Sequence, residues 1–203
     1  MIELWLLRHG ATEWARNGRH TGRTDVPLIE EGEAEARALA PVLAGHRFAG
    51  VLVSPLQRAQ RTCALAGLAS QAQACPDLQE WDYGRYEGIT TAEIRAHTPH
   101  WSLWRDGCPG GESAPAIQQR CERVIAQAEA LALGMARQGD QPVDQKVALF
   151  AHGHILRSLA GTWLGLGAQG GALLSLATGT ISVLGQEREQ RTILRWNVPN
   201  HSL

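Results

Sequence analysis

Two apolar runs in the sequence end in the same way, with a histidine followed by a glycine. The first, LWLL, continues into Arg8, His9 and Gly10, and the second, VALFA, continues into His152 and Gly153. Such runs are typical of buried parallel strands. Ligand sites in open parallel sheets form at the carboxyl ends of the strands. If the two strands are neighbours, His9 and His152 therefore face each other across one cavity.

A third run, GVLVS, ends just before a helical segment that carries Arg58, which could join Arg8 at the same edge of the sheet. Two arginines and two histidines suit a phosphoryl group, because guanidinium groups donate in pairs to phosphate oxygens. They also stabilise the charge that spreads over the equatorial oxygens during transfer. A neutral imidazole can attack phosphorus if its other nitrogen donates to a fixed acceptor. The cluster therefore predicts phosphoryl transfer.

A leaving alkoxide needs a proton, so we expect a carboxylic acid with a raised pKa beside this cluster. The segment DLQEWDYGRYEG supplies four candidates, which are Asp77, Glu80, Asp82 and Glu87. Each of them could instead form a salt bridge with an arginine, and their residue types alone do not choose between the two roles.

The elements that must position these residues alternate along the chain. Strands are predicted at 2–7, 49–53, 73–75 and 146–151, and helices at 30–43, 54–69, 90–97, 113–136 and 155–164. Ser54 and Pro55 are expected as the N-cap and first residue of the second helix. Further apolar runs lie at 172–176, 180–184 and 191–196, the last as a hairpin strand. The alternation predicts a single α/β domain over residues 1–203, with a mostly parallel central sheet and helices on both faces.

Composition excludes several classes of protein. The net charge of −1 gives no overall field that would favour nucleic acid or an anionic membrane. No segment approaches the ~20 apolar residues of a membrane span, and the N-terminus is typical of a first strand rather than a signal peptide. The four cysteines lack metal-site spacing and are expected as reduced thiols. These features predict a cytoplasmic protein without a bound metal or other cofactor.

Five ordered segments resemble the histidine phosphatase (phosphoglycerate mutase-like) superfamily over about residues 2–165. They are LRHGATEW, SPLQRA, LQE with YG, GES and AHG. The resemblance implies that His9 is the nucleophile that becomes phosphohistidine and that Arg8, Arg58 and His152 bind the transferred group. It implies Glu80 as the proton donor. It also assigns Gly153 to the substrate site, together with Thr21 and Gly22, which match a loop that closes over phosphate.

The stretches WDYGRYEG, WRDGCPGGES and AHGHILR look closer to the sugar-bisphosphatase and broad acid-phosphatase branch of that family. The resemblance therefore implies a metal-independent phosphomonoester hydrolase acting on a small phosphorylated metabolite, such as a sugar phosphate or bisphosphate. Ala15 stands where the family often has an asparagine, and Asn17 follows two positions later. A cofactor-dependent phosphoglycerate mutase is the alternative, although the short stretch between Glu80 and Ala151 favours hydrolysis. A non-catalytic phospho-ligand-binding protein is a third hypothesis.

Other residues near these segments have two interpretations each. His154 forms a His-x-His pair with His152, which is known from metal sites, although we favour a packing or supporting role. Trp101 and Trp104 are expected in the core or in a lid rather than as a stacking platform. The arginines at positions 16, 19 and 23 form either a solvated loop face or a gate for the substrate. An exposed strand edge could support a homodimer.

Overall fold

The strand that carries His9 lies near the middle of a six-stranded sheet with the order β3-β2-β4-β1-β5-β6. The computed structural model describes residues 1–136 and 145–199. The strands are β1 (Ile2–Arg8), β2 (Phe48–Val53), β3 (Ala72–Ala74), β4 (Gln145–Ala151), β5 (Thr180–Glu187) and β6 (Gln190–Pro199). The first four are parallel, β5 runs antiparallel to β1, and β6 forms a hairpin with β5. The mostly parallel sheet predicted from the sequence is confirmed.

Helices cover both faces of this sheet, as predicted. They are α1 (Glu13–Arg16), α2 (Glu30–Ala44), α3 (Gln57–Leu65), α4 (Thr91–His97), α5 (Leu103–Asp106), α6 (Ala114–Ala136) and α7 (Gly153–Trp163). Alternate residues of β1 point to opposite faces: Leu4 and Leu6 belong to the core that contains α6 and α7, whereas Trp5 and Leu7 belong to the core that contains α2 and α3. None of the described helices is both long and apolar enough to cross a membrane.

The pairing of β1 with β4 creates the crevice for the site. Arg8 stands opposite Ala151, and the amide of His9 donates a hydrogen bond of 3.0 Å to the carbonyl of Ala151. The chain that leaves β1 continues to α2 on one face, and the chain that leaves β4 enters α7 on the other. Divergence of this kind opens a crevice beyond the carboxyl ends of the two strands.

Three local predictions differ from the structure. Helix α3 begins at Gln57 with Leu56 as its cap, because Pro55 keeps the preceding residue extended and Ser54 is buried at the end of β2. The loop from residue 11 to 27 contains the short helix α1. The run at 172–176 is no strand: the chain forms a 3₁₀ helix at Ala168–Leu173, whose glycines pack directly on the backbone of Gly161 in α7.

Candidate active site

The loop that carries His9 is held from two sides. A Cβ atom on Gly10 would lie 2.0 Å from the carbonyl oxygen of Gly32, so the start of α2 packs directly on this loop. On the other side, the amide of Gly10 donates to Thr62 Oγ1 (3.1 Å), and that hydroxyl donates to the carbonyl of Arg58 (2.7 Å). The backbone of His9 therefore has little freedom to move.

The imidazole of His9 is prepared for attack through Nε2. Its Nδ1 lies 2.7 Å from the carbonyl oxygen of Gly10, which can only accept, so Nδ1 carries the ring proton. Burial, with further contributions from Arg58 and Arg8, holds the pKa of His9 well below its usual range. The ring is therefore neutral with its lone pair on Nε2. His9 lines a cavity, and no described residue forms a hydrogen bond with Nε2.

Arg8 has donors that no described residue accepts. Its Nη1 donates to the carbonyl of Leu176, but its buried Nε has no hydrogen-bond partner within 1–136 and 145–199. Burial lowers the pKa of Arg8, and the negative charge of Glu80 acts in the opposite direction. No carboxylate in the described part of the chain forms an ion pair with this guanidinium. An anion in the cavity would supply the missing acceptor and counter-charge.

Arg58, by contrast, donates most of its hydrogen bonds to other groups of the protein. Its Nε donates to Nδ1 of His152 at 3.0 Å, and its Nη1 donates to the carbonyl of Thr24 at 2.9 Å. Its Nη2 donates to the carbonyls of Thr21 and Gly22, both at 3.0 Å. A guanidinium has five N–H groups, so one N–H of Arg58 remains for another acceptor. The sequence did not indicate this arrangement.

Both ring nitrogens of His152 also form hydrogen bonds within the protein. Because its Nδ1 accepts from Arg58, its Nε2 carries the proton and donates to Ser54 Oγ at 2.7 Å. Burial, reinforced by Arg58 and His9, lowers the pKa of His152 well below its usual range. Its ring centroid lies 5.1 Å from that of His9. The structure thus brings His9, Arg58 and His152 together as predicted, but neither Arg58 nor His152 is among the described residues that line the cavity.

Of the four candidate acids, Glu80 alone is among the residues that line the cavity. Asp77 forms an ion pair of 2.7 Å with Arg123, and Asp82 forms one of 3.4 Å with Arg23. The carboxylate of Glu87 accepts hydrogen bonds from the amides of residues 22 and 24, at 2.8 and 3.0 Å. Asp77 and Asp82 therefore form the salt bridges that were the alternative to an acid role, whereas Glu87 holds a loop through backbone amides.

The carboxylate of Glu80 is fixed at the start of α7. Its Oε1 accepts from the amides of Trp81 and Ile155, both at 2.9 Å, and its Oε2 accepts from the amide of His154 at 2.9 Å. Three backbone amides, two of them at the N-terminus of α7, thus fix the orientation of this carboxyl group. Oε2 keeps a lone pair for one further hydrogen bond.

The loop predicted to close over phosphate is pinned beside the cavity. Thr21 lines the cavity, whereas Gly22 is buried behind it. A Cβ atom on Gly22 would lie 2.6 Å from both Glu87 Oε2 and the carbonyl oxygen of Trp81. Glycine at this position therefore lets the loop approach the aromatic segment closely enough for Arg58 and Glu87 to hold it.

The cavity has a volume of about 280 Å³. Its wall also contains Tyr83, which the sequence did not assign to the site. Tyr83 Oη lies 2.6 Å from Nδ1 of His154. Burial raises the pKa of Tyr83 well above its usual range, so its hydroxyl is protonated and donates. Burial and Arg157 lower the pKa of His154 well below its usual range. His154 is therefore neutral, with its proton on Nε2.

No group of three or more His, Cys, Asp or Glu residues within 1–136 and 145–199 is arranged to hold a metal ion. The neighbours of His154 are aromatic: Trp104 lies 5.3 Å and His20 6.2 Å away between ring centroids. Both Trp101 and Trp104 line the cavity, as do Gly153 and Ala15. Of the three loop arginines, Arg19 lines the cavity, Arg23 pairs with Asp82, and Arg16 is exposed.

Comparison with known proteins identifies the family. The family model described as "Histidine phosphatase superfamily (branch 1)" matches residues 4–199. The chain belongs to this superfamily. An acid phosphatase of Mycobacterium tuberculosis is 35% identical over 200 residues, which are 98% of this chain and 93% of the relative. A sedoheptulose 1,7-bisphosphatase of Saccharomyces cerevisiae is 36% identical over 81% of this chain and 68% of its own length.

A solved structure supports the same assignment for this histidine phosphatase. The product of an open reading frame of M. tuberculosis superposes with a TM-score of 0.86 at 34% identity, covering 98% of both chains. The resemblance inferred from the five sequence segments is thus confirmed, together with the phosphoglycerate mutase-like fold. The protein is a phosphohydrolase, and its family and relatives support hydrolysis of phosphomonoesters.

Proposed function

We propose that this enzyme hydrolyses a small phosphorylated metabolite through a phosphohistidine at His9, without a metal ion. One observation carries the proposal. A neutral histidine with a free Nε2 faces a cavity in which Arg8 offers unpaired donors. The nucleophile and the cation that would bind the transferred group are thus adjacent in the sequence and open to one cavity.

In the first step, Nε2 of His9 attacks phosphorus and the bond from phosphorus to the substrate oxygen breaks. Arg8 holds the equatorial oxygens from the cavity wall, and Arg58, which is buried beside His152, adds positive charge and one remaining N–H. His152 supports this group by orienting Arg58, and the backbone at Thr21 and Gly153 completes the substrate site. Gly22 lies behind the cavity and holds the Thr21 loop in place. The hydrogen bond from Nδ1 of His9 to the carbonyl of Gly10 stabilises the positive charge that develops on the ring.

Glu80 moves the protons in both steps. As a carboxylic acid it protonates the leaving oxygen, and the resulting carboxylate then accepts a proton from water as that water attacks the phosphohistidine. The bond from phosphorus to nitrogen breaks, which releases phosphate and restores His9. The amide donors around Glu80 hold its carboxyl group in one orientation at the cavity for both steps. The cavity volume and the bisphosphatase relative support a sugar phosphate or bisphosphate as the substrate.

The test is release of phosphate from p-nitrophenyl phosphate in the presence of EDTA. We expect the wild-type protein to be active and His9→Ala to lose activity by a factor on the order of 10³ or more. His46→Ala is the matched control, because His46 precedes β2 at the opposite, amino-terminal edge of the sheet. Loss of wild-type activity in EDTA would overturn the metal-free mechanism.

Product analysis separates hydrolysis from a mutase reaction, in which the phosphohistidine returns its group to a second hydroxyl. With 3-phosphoglycerate and 2,3-bisphosphoglycerate present, we expect inorganic phosphate to accumulate. Accumulation of 2-phosphoglycerate without release of phosphate would instead identify a mutase.

A further inference from the structure

A single peptide group connects His9 to an acidic side chain of α2. The carbonyl of Gly10 accepts the hydrogen bond from Nδ1 of His9 at 2.7 Å. The amide of the same peptide group belongs to Ala11, and it donates to Oε2 of Glu35 at 2.8 Å. The peptide group therefore lies between the imidazole and the carboxylate, with one hydrogen bond at each end.

The direction of these two hydrogen bonds lets the carboxylate act on the imidazole. In a trans peptide the C=O and N–H bonds point in opposite directions and are conjugated through the C–N bond. A carboxylate that accepts from the N–H increases the negative charge on the carbonyl oxygen, because hydrogen bonds in such a chain polarise one another. Gly10 therefore offers His9 a stronger acceptor than an isolated carbonyl would.

Helix α2 holds this peptide group in place. Gly32 and Glu35 are three residues apart in the helix and lie on the same face of it. A Cβ atom on Gly32 would lie 2.1 Å from the carbonyl oxygen and 2.5 Å from the nitrogen of Ala11, so the helix backbone touches the loop directly. The carbonyl of Ala11 also accepts from the amide of Ile29 at 3.1 Å. The Ala11 amide is thus held where Glu35 accepts its hydrogen bond.

The turn that precedes β5 positions Glu35 from the other side. Oε1 of Glu35 accepts from Oγ1 of Thr178 at 3.2 Å. Gly179 has a φ of +62°, and a Cβ atom there would lie 2.6 Å from Cβ of Glu35. The amide of Gly179 donates to the carbonyl of His9 at 3.2 Å. One turn therefore contacts both Glu35 and the backbone of the nucleophile.

The proposed reaction places a positive charge on the ring of His9. The lone pair of Nε2 forms the bond to phosphorus, and the bond from phosphorus to the substrate oxygen breaks with its electron pair on that oxygen. Nδ1 keeps its proton, so the phosphorylated ring is a cation. Burial, Arg58 and Arg8 lower the pKa of His9 and oppose this cation for the same physical reasons. A negative charge connected to Nδ1 would offset part of this penalty.

We propose that Glu35 is a positioning residue for the reaction, whose carboxylate stabilises the charged phosphohistidine through the peptide group between Gly10 and Ala11. In Ser-His-Asp triads the carboxylate contacts the imidazole itself and stabilises the imidazolium that forms. Here a peptide group lies between the two side chains and transmits part of the effect. This inference rests on the proposed function, since it takes His9 as the nucleophile.

Proton NMR of the resting enzyme tests the connection without turnover. A stronger hydrogen bond moves the resonance of its proton to lower field, and the Nδ1 proton of His9 is the low-field signal that His9→Ala removes. Glu35→Gln removes the charge but keeps an oxygen that can accept from the Ala11 amide. We expect Glu35→Gln to move the signal to higher field. A signal that stays in place contradicts the inference.

Kinetics with p-nitrophenyl phosphate tests the effect on the reaction. We expect Glu35→Gln to lower kcat/KM, which includes formation of the phosphohistidine, by about tenfold. The inhibition constant of inorganic phosphate should change by less than about twofold, because the His9 ring is neutral while phosphate only binds. If Glu35 only shaped the phosphate site, both quantities would worsen together, and that result would overturn the proposal.

Two further variants separate charge from packing. Glu122→Gln removes the charge of an exposed carboxylate of α6 and should leave the signal and both constants unchanged. Thr178→Val removes the hydrogen bond to Oε1 of Glu35 but keeps its charge, so its effects should be smaller than those of Glu35→Gln. Equal effects of Thr178→Val and Glu35→Gln would show that packing rather than charge is responsible, and would contradict the inference.

The two proposals can fail separately. If the wild-type protein releases no phosphate from any substrate, the proposed function fails, whereas a signal that moves in Glu35→Gln still supports the connection between Glu35 and His9. If the wild type is active and Glu35→Gln matches it in kcat/KM, the proposed function stands and the inference about Glu35 is wrong.

Discussion

The two ends of the cavity are built differently. At the inner end, which consists of Arg8, His9, Arg58 and His152, most polar atoms are bonded to other protein groups, and Arg58 alone makes four such hydrogen bonds. The outer end consists of Tyr83, Trp104, His154 and Arg157. There Trp104 packs against a guanidinium whose amino groups have no hydrogen-bond partner in the described part of the chain. The inner end fixes the geometry of one reaction, whereas the outer end leaves polar groups that a particular substrate must satisfy.

This difference explains what each end requires of the sequence. A reaction centre must hold the nucleophile in a narrow range of positions, and the glycine contacts below His9 provide this. A specificity site needs only a few donors on a firm support. Substitutions at the inner end should therefore affect every substrate, and those at the outer end should affect some substrates more than others.

After His9→Ala, the largest effect is expected for Gly10→Ala, which tests the rigidity of the inner end. The new Cβ would lie 2.0 Å from the carbonyl oxygen of Gly32, so either the His9 loop or the start of α2 must move. We expect a loss of about 3 kcal/mol in the free energy of unfolding and a loss of at least about 10²-fold in kcat/KM on every substrate. Urea unfolding and assays with p-nitrophenyl phosphate measure the two quantities.

Gly134→Ala is the control for Gly10→Ala. Gly134 lies in α6 with open space where its Cβ would be. Alanine there should stabilise the helix by about 0.5–1 kcal/mol and leave activity unchanged. If the two variants had the same free energy of unfolding and the same kcat/KM, the inner end would not be as closely packed as the structure indicates.

The sequence predicted the inner end better than the outer end, and the reason is physical. The parallel strands β1 and β4 bring His9 and His152 together because each histidine follows the last residue of its strand. The sequence does not show that Arg58 donates hydrogen bonds to the carbonyls of Thr21 and Gly22. Which groups form hydrogen bonds depends on how the loop packs in three dimensions. The sequence predicted Ser54 as a helix N-cap, whereas in the structure its hydroxyl accepts a hydrogen bond from His152.

At the outer end, helical spacing alone could have revealed Arg157. It follows His154 by three residues, and such pairs share one face of a helix. Tyr83, Trp104 and Gly171 come from separate segments and meet there only through folding, so no local pattern indicated the cavity wall that they form. The fold class, in contrast, followed from the alternation of apolar runs and helical segments, which depends on local patterns throughout the chain.

Glu80 lies between the two ends, and Glu80→Gln is expected to have the next largest effect. If Glu80 protonates the leaving group, kcat for an alkyl phosphate such as glycerol 3-phosphate should fall by about 10²-fold or more. The loss should be smaller for p-nitrophenyl phosphate, because p-nitrophenolate leaves without a proton. Steady-state assays on both substrates give the comparison.

Asp77→Asn is the matched control, because Asp77 pairs with Arg123 away from the cavity. It should leave both activities within about twofold. An equal loss on the two substrates in Glu80→Gln would show that Glu80 does not protonate the leaving group, and would leave it a role in the water step or in capping α7.

The smallest expected effect is on the pH dependence of the free energy of unfolding. One histidine from each end of the cavity contributes to it. Burial lowers the pKa of His9 at the inner end and of His154 at the outer end well below the usual range. The unfolded chain therefore binds more protons than the folded chain once the pH falls towards the unfolded histidine value of ~6.5. The resulting stability is fully present above that value and is lost as the pH falls towards the folded pKa values.

We expect the free energy of unfolding to fall between pH 7 and pH 5, with each such histidine contributing a slope of up to ~1.4 kcal/mol per pH unit. Urea unfolding at a series of pH values measures this slope. His9→Gln and His154→Gln should each reduce it, because each removes one group that takes up a proton only on unfolding. If His154→Gln leaves the slope unchanged while His9→Gln lowers it, only the inner end keeps its histidine neutral. The outer end would then hold a histidine that can be charged, which would strengthen its attraction for an anion.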